Sequence, residues 1–106
     1  MLSKEDQKIL NKFAGRIRKR YAEARIWAFG SRARGAAEWD SDFDICIVLP
    51  RVDRTVTRTI RRIAWEVGFD KDRVITTIVM DEDQFENGPM SESALVEHVL
   101  HKGVAA

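Results

Sequence analysis

The sequence predicts an α/β fold of the α+β kind, in which helices pack on a small sheet. Short apolar runs rich in β-branched residues alternate with longer segments in which apolar residues recur every three or four positions. Glycine, proline and polar turn residues separate these segments, so the predicted order is helix, strand, turn, strand, helix, strand, helix. The chain has 106 residues, and we expect residues 1–106 to form a single domain.

The first helix is predicted to begin after Ser3, whose side chain can cap it. Glu5 and Asp6 then lie in the first turn, at the positive end of the helix dipole. Apolar residues follow at helical spacing and form one stripe: Ile9, Leu10, Phe13, Ile17 and Tyr21.

Three apolar runs are predicted to be strands. Arg25–Phe29 is ended by Gly30, and the nearly continuous apolar run Phe43–Leu49 is stopped by Pro50. Residues 74–80 form the third run, which is rich in β-branched residues.

Residues 53–67 are predicted to form the second helix, with Gly68 as its C-terminal stop. Residues 81–90 are a polar connection with a turn signal at Asn87, after which Ser91 is expected to cap a last helix ending at Gly103. The second helix has one apolar face, formed by Val56, Ile60, Ile63, Ala64 and Val67, and an opposite basic stripe formed by Arg54, Arg58, Arg61 and Arg62.

The charges are unevenly distributed, although the net charge is only +1. Residues 1–80 hold 17 Lys and Arg against 11 Asp and Glu, a net +6, whereas residues 81–106 hold 1 against 6, a net −5. The small total argues against a nucleic-acid scaffold protein. The asymmetry suits an anionic substrate or a charged partner, and solvated helix faces explain it equally well.

The single cysteine, Cys46, lies inside an apolar run and is expected to be a buried packing residue in a reducing compartment. No apolar stretch is long enough to span a bilayer, and the charged N-terminus lacks a signal-peptide core. These features predict a cytoplasmic protein without membrane contact.

Two carboxylates precede the second strand. Asp42 and Asp44 are two residues apart, so on a strand they share a face, with Cα atoms roughly 6–7 Å apart. Like charges this close repel each other, and a hard divalent cation such as Mg²⁺ relieves the repulsion. The pair therefore predicts a magnesium site that positions phosphates.

Gly30 and Ser31 follow the first strand, and ten residues lie between Ser31 and Asp42. Glycine lets the backbone approach a phosphate closely, the following amides can face it if a helix begins there, and the Ser31 hydroxyl adds a donor. Arg32 and Arg34 add positive charge, unless they are simply solvated on a loop.

The assembled stretch "FGSRARGAAEWDSDFDICIVL", from Phe29 to Leu49, resembles the signature of the DNA polymerase β nucleotidyltransferase superfamily. It is most similar to the minimal nucleotidyltransferases, which are reduced to the catalytic domain. The resemblance implies the polymerase β-type fold, a small mixed sheet with flanking helices. It also implies transfer of a nucleoside monophosphate, with AMP from ATP as the expected case, to an acceptor.

By resemblance, Gly30, Ser31 and Arg32 bind the nucleotide. Asp42 and Asp44 are the catalytic, metal-binding residues, and Mg²⁺ is the cofactor. The family usually has a third carboxylate on the neighbouring strand.

In this chain the neighbouring strand reads "RVITTIVMD", and the expected position of the third carboxylate is Ile75, or Thr77 in a register two residues away. Asp81 lies six residues beyond Ile75, about 20 Å along a strand. Asp40 is a further candidate, in the loop before Asp42. The missing acid leaves two hypotheses open, an active transferase and a site that binds nucleotide without turnover.

The resemblance further implies a partner, because many minimal nucleotidyltransferases act as antitoxins of small helical HEPN ribonucleases, by binding them or by adding AMP to a tyrosine. The first hypothesis is this antitoxin role, with the basic stripe and the acidic C-terminal region as contact surfaces. The second is a noncatalytic module that masks a partner or senses a nucleotide. A third is a free-standing transferase acting on a small molecule or on RNA ends, and a homo-oligomer is compatible with each.

Several aromatic and histidine residues have two interpretations. Trp39 is expected to cover the loop by packing, with stacking on a nucleobase as the alternative. Trp27 and Trp65 are expected in the core. His98 and His101 have a spacing found in metal sites, but without a third ligand they are expected to be surface or partner-contact residues.

Overall fold

A computed structural model of the chain describes residues 2–35 and 41–106, with the backbone alone described for residues 90–93. Within the described residues, no helix is both long and apolar enough to cross a membrane. The elements in chain order are α1 (Lys4–Arg20), β1 (Arg25–Phe29), α2 (Gly30–Arg34), β2 (Phe43–Leu49), α3 (Arg54–Lys71), β3 (Ile75–Asp81), α4 (Glu82–Asn87), α5 (Met90–Lys102) and β4 (Val104–Ala105).

The four strands form one mixed sheet in the order β3–β2–β1–β4. β1 pairs antiparallel with β2 and β4, while β2 and β3 are parallel. α3 makes the crossover that a parallel pair requires. The predicted fold, a small mixed sheet with flanking helices, is confirmed.

The two faces of the sheet carry separate cores, and β2 contributes to both. Phe43 and Ile45 pack under α1 and α3, whereas Cys46 and Val48 pack in a smaller core with α4 and α5. This double burial explains why β2 reads as a continuous apolar run. Burial raises the pKa of the Cys46 thiol to about 11, so it remains an inert packing residue, as predicted.

Several predicted boundaries are confirmed. β1 and β2 have the expected bounds, and Gly103 ends α5. The Ser3 hydroxyl accepts a hydrogen bond from the Asp6 amide at 3.0 Å and caps α1. The apolar stripe of α1 is buried from Ile9 to Ile17.

Three predictions near the C-terminus need correction. The connection after β3 contains a helix, α4, because Asp81 and Gln84 form a capping box. α5 begins at Met90 after Pro89, so Ser91 lies inside the helix and is not its cap. β4 was not predicted, because two residues are too short a run to show a strand period.

α3 does not stop at Gly68 but continues to Lys71, where Asp72 adopts a left-handed conformation with φ 57°. The Arg73 amide then donates to the Gly68 carbonyl at 2.8 Å and closes the helix end. A Cβ on Gly68 would clash with the Arg73 carbonyl oxygen. Gly68 therefore allows the chain to return closely past the helix toward β3, although it lies three residues before the last residue of α3.

The two tryptophans that were expected in the core, Trp27 and Trp65, differ in their exposure to solvent. Trp27 is half-buried and stacks on Phe85, with ring centroids 5.2 Å apart. Trp65 is 67% exposed, so its assignment to the core was wrong.

We expect Gly68→Ala to lower the free energy of unfolding by about 1–3 kcal/mol, because the new methyl group meets rigid backbone. The matched control is Gly15→Ala in α1, where the exposed glycine has nothing within 4 Å of an added Cβ. That variant should gain up to about 1 kcal/mol from helix propensity. Urea denaturation measures both changes, and equal effects of the two substitutions would contradict the proposed role of Gly68.

Candidate functional site

The two halves of the Gly-Ser and Asp-x-Asp motif meet because of the β1–β2 register. Phe29, the last residue of β1, lies opposite Asp44 near the start of β2. Gly30 follows with φ 77°, and a Cβ there would clash with the Asp44 carboxylate oxygen Oδ2. Only glycine therefore allows the backbone to pass this close to the carboxylate.

The segment after Gly30 is helical. α2 begins at Gly30, so Ser31 lies in a first turn whose amides have no intrahelical acceptor. A helix therefore begins at this turn, as is required if the amides that follow Gly30 are to face a phosphate. Ser31 is half-buried, whereas Arg34 is exposed at the end of the helix.

Asp42 and Asp44 lie on the α5 side of the sheet, at the N-terminal end of β2. Asp42 is exposed and Asp44 is half-buried. Burial, and then the charge of Asp42, raise the pKa of the Asp44 carboxyl above its ordinary value. The pair is thus an oxygen-donor site in which a bound divalent cation would relieve the repulsion.

The residue of β3 that faces this pair is Thr76, which lies opposite Asp44 in the parallel register. Its hydroxyl is 3.4 Å from the Asp42 oxygen Oδ2. Ile75 packs against the core on the other face, and Thr77, opposite Ile45, shares that orientation. The predicted positions for a third carboxylate were therefore wrong by one residue, and the chain has a hydroxyl there.

The other candidate acids do not complete the pair. Asp81 caps α4, with its carboxylate accepting from the Gln84 amide at 2.7 Å. It is five residues beyond Thr76, roughly 16 Å along the strand. Among the side chains that the structure describes, those of residues 2–35, 41–89 and 94–106, no group of three His, Cys, Asp or Glu could hold a metal ion. Asp40 and Trp39 lie outside the described residues.

The Arg32 side chain is buried and binds to other residues of this chain. It is 5% exposed, and its guanidinium donates to both carboxylate oxygens of Asp6, at 3.0 and 3.2 Å. Its Nε donates to the Ser41 carbonyl at 2.9 Å. Arg32 thus links the turn after Gly30 to the residue before Asp42, a bracing role that the sequence analysis did not foresee.

Asp6 anchors this link from α1 and is 4% exposed. Arg73, just before β3, approaches it as well, with Nε 3.7 Å from Oδ1. Removing one member of a buried pair of this kind typically costs about 3–5 kcal/mol, because the other charge is left without compensation. The sequence shows Asp6 only as an acid in a first helical turn, so no signal identified this role.

His98 of α5 lies beside the motif, with its ring edge-on to Phe29 and the centroids 6.5 Å apart. His101 is exposed. That His98 and His101 are surface or partner-contact residues stays a prediction.

Comparison with known proteins places this site in context. The sequence model of the nucleotidyltransferase domain family matches residues 10–101. No curated protein matches the chain in sequence.

Three solved structures share the fold at 18% identity. One is a toxin–antitoxin pair with AMP-PNP, at a TM-score of 0.66, covering 90% of this chain and 69% of that one. Another is a mutant of the toxin–antitoxin pair MntA–HpeT with two aspartates changed to glutamate, at a TM-score of 0.64 and the same coverage. The third is a tri-AMPylated HEPN toxin from Shewanella oneidensis in complex with its MNT antitoxin, at a TM-score of 0.60, covering 94% and 70% of the respective chains.

We expect metal-free Asp44→Asn to be more stable than the wild type at pH 7, with the difference narrowing as the pH falls toward 4. The pKa of Asp44 is raised in the folded protein above the ordinary 3.8, so the folded state takes up the proton first and gains stability on acidification. Urea denaturation in EDTA at both pH values measures this. In the control Asp70→Asn, Lys12 lowers the carboxyl pKa, so its contribution is lost only in more acidic solution and no narrowing is expected. A constant difference for Asp44→Asn would contradict the assignment.

Proposed function

The chain belongs to the nucleotidyltransferase domain family, and on this basis we propose that it transfers a nucleoside monophosphate, AMP from ATP, to an acceptor in a magnesium-dependent reaction. An oxygen of the acceptor attacks the α-phosphorus and forms a new P–O bond. The bond from this phosphorus to the bridging oxygen breaks, and pyrophosphate leaves with the electron pair. The acceptor hydroxyl releases its proton to solvent water.

The observation that carries this proposal is the contact between Gly30 and the Asp44 carboxylate. It brings the turn that would bind the phosphates beside two carboxylates that share one strand face. Asp42 and Asp44 would hold Mg²⁺, which when bound neutralises phosphate charge and orients the α-phosphate. Gly30 and Ser31 would bind the phosphates. Arg32 would act by holding this turn and Ser41 in place.

We further propose that the acceptor is a residue of a helical HEPN-type partner and that the chain is its antitoxin. Support comes from the similar folds of the antitoxin complexes, one of which contains AMP-PNP and another a tri-AMPylated HEPN toxin. A cytoplasmic location is part of the same proposal.

One observation favours a second candidate function, a nucleotide-binding module that masks its partner without turnover. Thr76 stands where the family resemblance implies a carboxylate, and a hydroxyl cannot act as the base that such a carboxylate provides. General base catalysis typically contributes about 10²–10⁴ in rate. Loss of this contribution slows transfer but leaves metal and phosphate binding in place.

Transfer is tested by incubating the protein with Mg²⁺, ATP labelled at the α-phosphate and the protein encoded by the adjacent gene, called the neighbour protein below. We expect label on the neighbour protein. Asp44→Asn should reduce labelling by at least roughly 10–100-fold. Removing a residue that merely supports a metal ligand typically costs this much, and Asp44 is proposed to be a ligand itself. Asp70→Asn, an exposed acid paired with Lys12, is the matched control.

The outcomes separate the two functions. Label that depends on Asp44 supports transfer. Absence of label, with wild-type binding of Mg²⁺–ATP and of the neighbour protein retained, would sink the enzymatic proposal and support the masking module.

A separate prediction concerns the third carboxylate. Thr76→Asp should lower the Mg²⁺ concentration needed for half-maximal transfer and raise the rate by up to about 10²-fold, because the new acid lies beside Asp42. Thr77→Asp is the matched control, since this neighbour on the same strand has the opposite orientation. A Thr76→Asp rate no higher than that of Thr77→Asp would show that β3 does not contribute to the metal site.

A further inference from the structure

Two aromatic side chains of α3 are unusually exposed. Trp65 is 67% exposed and Phe69 is 77% exposed, and their rings stack with centroids 5.3 Å apart. Val74, just before β3, is 64% exposed. Large apolar side chains grouped on a surface in this way mark a contact site for another molecule.

These residues line a groove of about 1080 Å³ between α3 and β3, called the α3–β3 groove below. β3 is an edge strand of the sheet, with β2 as its only neighbour within the described strands. The groove is lined by both aromatic rings and by polar residues at its ends, including Arg61, Arg73, Ser41 and Thr76.

The exposed face of α3 is basic beyond the aromatic pair. Arg54, Arg58 and Arg61 precede Trp65 at three- and four-residue spacing, and none of these arginines pairs with an acid in the described structure. The acids of the same helix are compensated, since Glu66 pairs with Arg16 at 2.6 Å and Asp70 pairs with Lys12 at 2.9 Å. The face therefore favours a partner that carries carboxylates.

One edge of the groove adjoins the candidate carboxylates, which themselves lie on the α5 side of the sheet. Thr76 lines the groove and also approaches Asp42, with 3.4 Å between Oγ1 and Oδ2. Ser41 lines it as well and immediately precedes Asp42. A protein bound to the aromatic pair therefore has to extend past the edge strand β3 to bring its acceptor group to the carboxylates.

We propose that the α3–β3 groove is the docking site of the acceptor protein, which places an apolar side chain against Trp65 and Phe69 and acidic residues against the arginines of α3. This inference rests on the proposed function and names the surface that the acceptor uses. It accounts for acceptor recognition by the nucleotidyltransferase fold itself, because a protein docked there can reach past the edge strand β3 to the Asp42 and Asp44 site.

A protein fits this surface better than a single-stranded nucleic acid. Nucleobases bind by stacking on free aromatic faces. The facing sides of Trp65 and Phe69 already cover each other, and Val74 extends the same apolar surface without a ring. Outer ring faces together with an aliphatic side chain suit an apolar side chain of a protein.

The test measures the affinity of the neighbour protein by isothermal titration calorimetry. We expect the double variant Trp65→Ser/Phe69→Ser to bind about 30-fold more weakly, the effect of losing an interface hot spot. Leu100→Ser is the matched control, because Leu100 is also an exposed apolar side chain, 52% exposed, but lies on α5. Thermal unfolding verifies that each variant remains folded.

The electrostatic part has its own test. Arg58→Glu/Arg61→Glu should slow association at low salt, and the difference from wild type should shrink as salt is added. Lys8→Glu on α1, another exposed cation, is the control and should change association little.

Each remaining outcome is decisive. Absence of wild-type binding overturns the proposed function and this docking site together, whereas wild-type binding that the aromatic variants leave unchanged overturns the docking site alone. A wild-type dimer that dissociates in these variants, with affinity for the neighbour protein unchanged, assigns the groove to a second copy and overturns the proposal. Tighter binding of a fluorescein-labelled 12-nucleotide RNA than of the neighbour protein, lost in the same variants, also overturns it.

Discussion

The antiparallel register that sets Phe29 opposite Asp44 is the constraint on which the candidate site depends. It brings the end of β1 and the start of β2 together, although ten residues separate Ser31 from Asp42 in sequence. The backbone at Gly30 then passes against the Asp44 carboxylate, where a Cβ atom would clash with Oδ2. A slip of one residue would turn Asp44 to the opposite face of the sheet and separate the two halves of the motif.

Positive charge near the site serves two different purposes. The Arg32 guanidinium is buried with Asp6 and holds the backbone on both sides of the intervening loop, so its contribution is to geometry. Among the described residues, no arginine pairs in this way with the carboxylates of Asp42 and Asp44, and burial raises the pKa of Asp44. The negative charge of the two carboxylates therefore favours the binding of a cation at the place where phosphates would bind.

Sequence patterns predicted the three longer strands and the paired carboxylates, because local composition determines both. β2 has a continuous apolar run that only a doubly covered strand tolerates, and Asp42 and Asp44 share a face on any strand. The role of Thr76 could not be predicted, since the register of a parallel pair depends on long-range packing. Arg32 and Asp6 are 26 residues apart, and the exposure of Trp65 depends on the edge position of β3; neither leaves a periodic signal.

The buried Asp6 also imposes an order on the assembly of the site during synthesis. Its partners, Arg32 and Arg73, come from the first third and the last third of the chain, and Thr76 lies three residues after Arg73. A nascent chain that has emerged only through β2 therefore holds both aspartates but lacks part of the frame that fixes them. The proposed nucleotide site should therefore be complete only late in translation, when β3 docks beside β2, and not when the motif itself has been synthesised.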